Sequence, residues 1–271
     1  MSDPVQTLTD VIDPARARAM QATLGHDPQI EKGDPLPPFF HQLYFWDPQA
    51  PAELGRDGHP KVGRVIPDMG LPRRMWAGGQ LEFEAPVLAG LPAKRISYVE
   101  KTAHKEGRSG PLGFVTMRHE TWQEGKRCIA EWQDLVYRED PKPGAKPTPP
   151  EAPTDEDVAE PVSFDTTMLF RYSALTFNGH RIHYDLPYAQ EVEGYDGLVV
   201  HGPLLAQYAM LLAERQLGKL TRFSFRATAP LMHFETAEVC WKSDGTVWLR
   251  GPDGRQCRRS GAEARPQEDR P

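Results

Sequence analysis

The chain has 271 residues, 39% of them hydrophobic and 26% charged, with a formal net charge of −6. That length makes one large domain or two small ones, with ample apolar material for a packed core. An acidic balance without a basic block excludes non-specific nucleic-acid binding, and no apolar run approaches the roughly 18–20 residues needed to span a bilayer. The first twenty residues lack an apolar core and carry early acids, unlike a signal or transit peptide. Cys128, Cys240 and Cys257 are too few and too scattered for a disulfide framework or a zinc knuckle. A cytoplasmic globular protein is expected, with neither nucleic acid nor membrane as a partner.

In chain order, a first module over residues 1–138 opens with a short apolar segment, Pro35 to Trp46. Strand-like stretches follow at 78–90, 93–107, 110–125 and 126–139. Residues 139–162 read as a linker: seven prolines fall between Glu139 and Pro161, and Val158 is the one large apolar residue besides. Such a stretch cannot bury enough surface to offset its ordering entropy. The second module spans 163–258. Leu204, Leu205, Tyr208, Leu211 and Leu212 recur at helical spacing, with Pro203 in the first turn and Gly218 near the end. Strand patterns then cover 221–230, 236–244 and 246–254. Residues 259–271 are charged and aperiodic, which predicts a flexible tail. Both modules carry an Ala-Pro-apolar-apolar step, Ala85 to Leu88 and Ala229 to Met232, after an aromatic-bearing strand. Proline there implies an edge or a bulge. The reading is α+β: two modules, each a helix wrapped by an antiparallel sheet.

Chemistry concentrates in the second module. Asn178, His180, His183 and Asp185 are interleaved with aromatic and apolar neighbours, and Val199-Val200-His201-Gly202-Pro203 runs straight into a helix start. N–H groups there have no intrahelical acceptor and carry the positive end of the helix dipole. A glycine lets a carbonyl approach the backbone closely, as in an oxyanion hole. His201 either packs against the helix or meets a substrate; both readings stay open. His180 and His183 have metal-ligand spacing, but no acid or third histidine is placed beside them in sequence, so no metal is expected. His26, His41, His59, His104, His119 and His233 read as surface or satisfied core residues. No GxSxG, GxGxxG or GxxxxGK[ST] motif occurs.

The run Phe170 to Asp185, followed by His201-Gly202-Pro203-Leu204-Leu205, resembles the MaoC-like hot-dog hydratases. It is most similar to type 2 hydroxyacyl-thioester dehydratases and to mesaconyl-C4-CoA or itaconyl-CoA hydratases. Residues Pro37 to Phe45 and Met75 to Gly79 resemble their N-terminal half. The resemblance implies a double hot-dog fold and reversible hydration of an α,β-unsaturated acyl-CoA, with no cofactor. The partner is an acyl-CoA thioester, and a homodimer is an option.

The wider family pattern has Asp, then Asn two residues on, then His five after the Asp. Here Asn178 stands in the place of the Asp and His180 in that of the Asn, with His183 as the base. An amide cannot take a proton, so His183 is left as the strong base of the loop, with Asp185 second in rank for a carboxylate. The catalytic set implied is His183, Asn178 and the Gly202 N–H. Around it, His201, His180, Arg181, Arg171 and Asp185 are candidates for substrate binding. A dicarboxylic acyl group needs an arginine, for which Arg73 and Arg74 also qualify by position. The first module, without such a loop, is expected to be catalytically silent. A thioesterase and a non-catalytic acyl-thioester-binding module are the alternatives.

Overall fold

The computed structural model describes residues 5–107, 110–140 and 148–264. The first half comprises β1 (Val5–Val11), α1 (Pro14–Thr23), β2 (Arg73–Phe83), β3 (Pro92–Gly107), β4 (Gly110–Gln123) and β5 (Lys126–Arg138). The second comprises β6 (Val158–Ser163), α2 (Thr166–Leu175), α3 (Gly202–Leu217), β7 (Leu220–Ala227), β8 (Thr236–Trp241), β9 (Thr246–Arg250) and β10 (Gln256–Ala264). One ten-stranded antiparallel sheet joins them in the order β1-β3-β4-β5-β2-β7-β10-β9-β8-β6. Read outward from the central β2–β7 pair, the two halves repeat the same order.

The Ala-Pro steps show how deep the repeat goes. Glu84 and Ala85 both donate to the Cys128 carbonyl, and Thr228 and Ala229 both donate to the Cys257 carbonyl. The step closes alike in both halves: Leu36 N–H bonds Val87 O, and Val200 N–H bonds Leu231 O, each at 2.8 Å. Bridges Pro35–Leu88 and Val199–Met232 complete the match. Two donors on one acceptor are a bulge, the position where a proline, which cannot donate, does least harm to the ladder.

That register pairs Gly202 with Pro38. The second half builds its sixteen-residue helix α3 from this point, burying Leu204, Leu205, Met210 and Leu212 against the sheet at roughly 1.5–3 kcal/mol each. The first half manages a single 3-10 turn, Phe40–Leu43. The expectation of a sheet-wrapped helix in both modules therefore holds fully for the second only. The cause lies in bulk: Phe39, Phe40, Leu43, Tyr44 and Phe45 are all buried and fill by side-chain volume the space a helix would occupy. Gln207 of α3 donates to Pro38 O across the halves at 2.8 Å.

Two boundaries move. Residues 158–162, read as linker, belong to β6, because Val162 is buried and the strand pairs with β8. Before it, Glu156 is held by Arg250 at 2.5–2.9 Å, and Asp157 accepts from Ser243 N–H. Charge pairing orders a stretch that has no apolar residues to do so. Residues 259–264, read as tail, lie in β10, where small Ser260 and Ala262 alternate inward. Residues 141–147 of the linker and 265–271 of the tail lie outside the described residues. Among the described residues no helix is long and apolar enough to cross a membrane.

Candidate active site

α2 ends in a turn through Phe177, whose φ of +52° is unusual for a bulky residue. Its ring stacks on Trp46 of the first half at 5.0 Å. Asn178 follows, its N–H bonded to Ser173 O (2.8 Å) and its Oδ1 accepting from His180 N–H (3.0 Å). The amide oxygen is spent on the turn. His183 closes the 3-10 turn Arg181–His183 and is buried. Its Nδ1 lies 2.7 Å from Val199 O; a carbonyl can only accept, so Nδ1 carries the proton and Nε2 keeps a lone pair.

Behind His183 lies His201, the N-cap of α3, with ring centroids 3.6 Å apart and planes 20° apart. His201 Nε2 is 2.8 Å from Ser173 Oγ. His201 is wholly buried, which corrects its reading as a substrate-binding residue: it backs His183 and exposes no atom to a ligand. Gly202 opens α3, and the guanidinium of buried Arg258 lies 3.1 Å from where a Gly202 Cβ would be. Burial pushes the Arg258 pKa down to about 9.

In front of His183 the first half enters. A loop from Gly55 to Lys61 presents Asp57 and His59, with His59 Nδ1 2.9 Å from Asp57 Oδ2. The His59 ring lies 4.4 Å from His180, and His180 lies 5.3 Å edge-on from His183. Four histidines thus run in file from His59 to His201. One oxygen of Asp57 and one nitrogen each of His59 and His180 come within 4.8 Å of one another, so an acid and a third histidine do stand beside His180, contrary to the sequence reading.

Two tight turns hold the halves together here. Gly58, at φ +86°, would place a Cβ 2.0 Å from Gly179 O, and Gly179 would place one 2.7 Å from Gly58 O. Arg181 donates its N–H to Asp57 O (2.9 Å) and a guanidinium N–H to Arg56 O (3.1 Å). A signal for this contact is present in the sequence: Asp57-Gly58-His59 and Asn178-Gly179-His180 are both Asx-Gly-His. In each, the Asx oxygen accepts from the His N–H at 3.0 Å. Reading each histidine singly hides the pair.

The other candidates are engaged elsewhere. Asp185 pairs with Arg181 at 2.7–2.9 Å and accepts from Tyr188 N–H; it is not the carboxylate of His183. Arg181 also lies 4.1 Å above the Tyr188 ring, which leaves it committed to structure rather than ligand. Arg171 is an exposed residue of α2. Arg73 is buried in an ion pair with Glu193. Arg74 is different. Among the described residues it has no ion-pair partner, and its charge acts on Asp57, His59 and His180. It lines a cleft of about 370 Å³ whose walls include Gln42, Trp76, Arg95, His119 and Glu131.

Electrostatics follow from the crowding. Burial pushes His183 down to about 3, against the raising effect of the Val199 carbonyl. His201 is held well below its ordinary range by burial and by the charges of His183 and His180. His180 and His59 are lowered chiefly by burial too. Burial opposes ionisation of Asp57, but His59 and Arg74 outweigh it and hold the carboxylate ionised. Folded pKa values below the unfolded histidine value of about 6.5 mean that the unfolded chain binds more protons below that pH. The stabilisation is complete above about pH 6.5 and is lost as pH falls toward about 3. From pH 7.5 to 5, His183 alone should cost on the order of 2 kcal/mol. Urea midpoints at those two pH values check this; equal midpoints would contradict neutral, buried rings.

Among solved structures, the chain is similar to a MaoC-like dehydratase from Phytophthora capsici, with TM-score 0.70, 13% identity and 97% of each chain covered. It is also similar to a double hot-dog protein from Mycobacterium tuberculosis, with TM-score 0.56, 15% identity, and 97% and 96% covered. The fold is the double hot-dog. The model of the family "Hydroxyacyl-thioester dehydratase type 2" matches residues 39–233. The mesaconyl-C(4)-CoA hydratase of Chloroflexus aurantiacus is 44% identical over 256 residues, 92% of this chain and 91% of that protein. A mitochondrial type 2 hydroxyacyl-thioester dehydratase of Schizosaccharomyces pombe is 27% identical over 89% of this chain and 91% of that one. The chain therefore belongs to the type 2 hydroxyacyl-thioester dehydratase family and is a hydro-lyase of the hydratase/dehydratase kind.

Proposed function

We propose that the chain reversibly hydrates a short, branched dicarboxylic enoyl-CoA, of which mesaconyl-C4-CoA and itaconyl-CoA are the leading cases. The observation that carries this reading is His183: its tautomer is fixed by Val199 O, so that Nε2 keeps its lone pair, and α3 begins beside it. The thioester carbonyl accepts from the Gly202 N–H, where the helix dipole and the buried Arg258 charge favour the enolate oxygen that develops. His183 Nε2 accepts a hydrogen bond from water and aims its oxygen at the β-carbon. Asn178 contributes by shaping the turn that presents His180. The first half is silent at the oxyanion position, since Pro38 stands opposite Gly202 in the repeat and has no N–H to offer.

Substrate class rests on the cleft and on the 44% identical mesaconyl-C(4)-CoA hydratase. The cleft carries four cations, Lys61, Arg64, Arg74 and Arg95, against three acids, Asp47, Glu53 and Glu131, and Arg74, which has no ion-pair partner among the described residues, supports a carboxylate on the acyl group. Arg74→Leu is expected to raise KM for the dicarboxylic thioester by about 10–100-fold, the loss of a charged hydrogen bond of about 1.5–3 kcal/mol. KM for crotonyl-CoA should move less than about threefold by the same reasoning. Steady-state kinetics on both substrates check it.

The reaction itself is tested by mixing the protein with crotonyl-, mesaconyl-C4-, itaconyl- and a long-chain enoyl-CoA. Loss of conjugated thioester absorbance would be followed, with mass spectrometry for the gain of one water. Asp57 gives the thioesterase alternative the carboxylate that the His183 loop lacks. Release of free CoA without hydration would select that reading.

A further inference from the structure

Hydration forms a bond from the water oxygen to the β-carbon and moves the alkene π pair onto the α-carbon as a thioester enolate. One water proton must then be taken up and delivered to that carbon. His183 is poorly equipped to carry it. Its ring partner is a neutral carbonyl and its surroundings are buried imidazoles, so an imidazolium formed there has no counter-charge. On the His183 loop the Asn178 amide cannot take a proton, and Asp185 is occupied by Arg181.

Among the described residues two histidines have a carboxylate partner, His41 with Glu131 and His59 with Asp57. His41 is 2% exposed, and Gln42 shares both oxygens of its partner. His59 is 22% exposed at the side chain and reaches His183 through His180. The Gly58–Gly179 contact and the Arg181 N–H to Asp57 O bond fix it there. With Nδ1–H donated to Asp57, the free Nε2 of His59 is an acceptor, and the ionised Asp57 stabilises the imidazolium that results.

We infer that the first half supplies the proton-transfer group of the reaction. His59 Nε2 takes the proton of the water held by His183 and returns it to the α-carbon; Asp57 is the positioning residue that orients and charge-balances the ring. The inference rests on the hydratase reading above. The active centre is then shared: water and oxyanion sites from the second half, the proton carrier from the first. The groups facing His59 are Asp57, His180 and Arg74, with His183 beyond His180.

The test uses the full chain and whichever enoyl-CoA of the panel it hydrates. His59→Gln should lower kcat by about 10²-fold or more with KM within about threefold, while the thermal midpoint stays close to wild type. Asp57→Asn should lower kcat by about 10–100-fold and shift the acidic limb of the kcat pH profile to lower pH, because the imidazolium loses its counter-charge; Asp57→Glu should recover part of the rate. A His59→Gln enzyme within threefold of wild type in kcat overturns the inference. So does a wild-type rate that chelation abolishes and a divalent cation restores, since Asp57, His59 and His180 would then be ligands. If wild type hydrates none of the panel, the functional reading fails separately, and 15N-histidine NMR with saturated succinyl-CoA decides the inference. Joint shifts of the His59 and His183 Nε2 resonances uphold the shared centre, and shifts at His183 without His59 overturn it.

Discussion

His183→Ala is expected to lower kcat by about 10²-fold or more on the substrate the enzyme hydrates, because the attacking water loses the side chain that holds and aims it. The protein should stay folded. Removing the ring leaves Val199 O without its 2.7 Å partner, at a cost of about 1–3 kcal/mol, and opens a void beside His201. A lower melting point with an intact cooperative transition is the predicted signature. Stopped-flow or steady-state absorbance together with a thermal melt separates loss of chemistry from loss of fold. A variant that keeps more than a tenth of wild-type kcat would remove His183 from the chemistry altogether.

Gly202→Pro should cost nearly as much, about 10²–10³-fold in kcat, corresponding to the 2.7–4 kcal/mol typical of one lost oxyanion donor. Proline is tolerated in the first turn of a helix, where the N–H has no intrahelical acceptor. His201 before it already has φ −56° and ψ 126°, the extended conformation that proline requires of its predecessor. Pro38 occupies the equivalent place in the first half. Gly202→Ala keeps the N–H, and its Cβ would meet the flexible end of Arg258 at 3.1 Å, so it should retain most of the rate. Equal losses in the two variants would mean that space, rather than the N–H, matters at this position.

The sequence determined a good deal of this. Helix α3 was legible because Leu204, Leu205 and Leu212 follow a 3.6-residue period between Pro203 and Gly218, and periodic burial is a local property. The seven strands expected were legible for the same reason, and the Ala-Pro steps marked the repeat because a proline must sit where no ladder donor is needed. His183 and the Gly202 start of α3 stand out in the sequence through the resemblance to the hydratases. Strands β1, β6 and the end of β10 were not. Their residues alternate weakly or carry charge, and they are ordered by neighbours far along the chain, such as β8 for β6.

What tertiary structure alone decided is where the charges went. Asp185, two residues from His183, is spent on Arg181, whereas Asp57, more than a hundred residues away, faces the histidine file. Sequence distance says nothing about this, because Gly58 and Gly179 bring two remote backbones into contact that no side chain would permit. A buried imidazole's charge state is set by whatever surrounds it in space. The carboxylate that faces the histidine file therefore comes from a turn in the half expected to be silent.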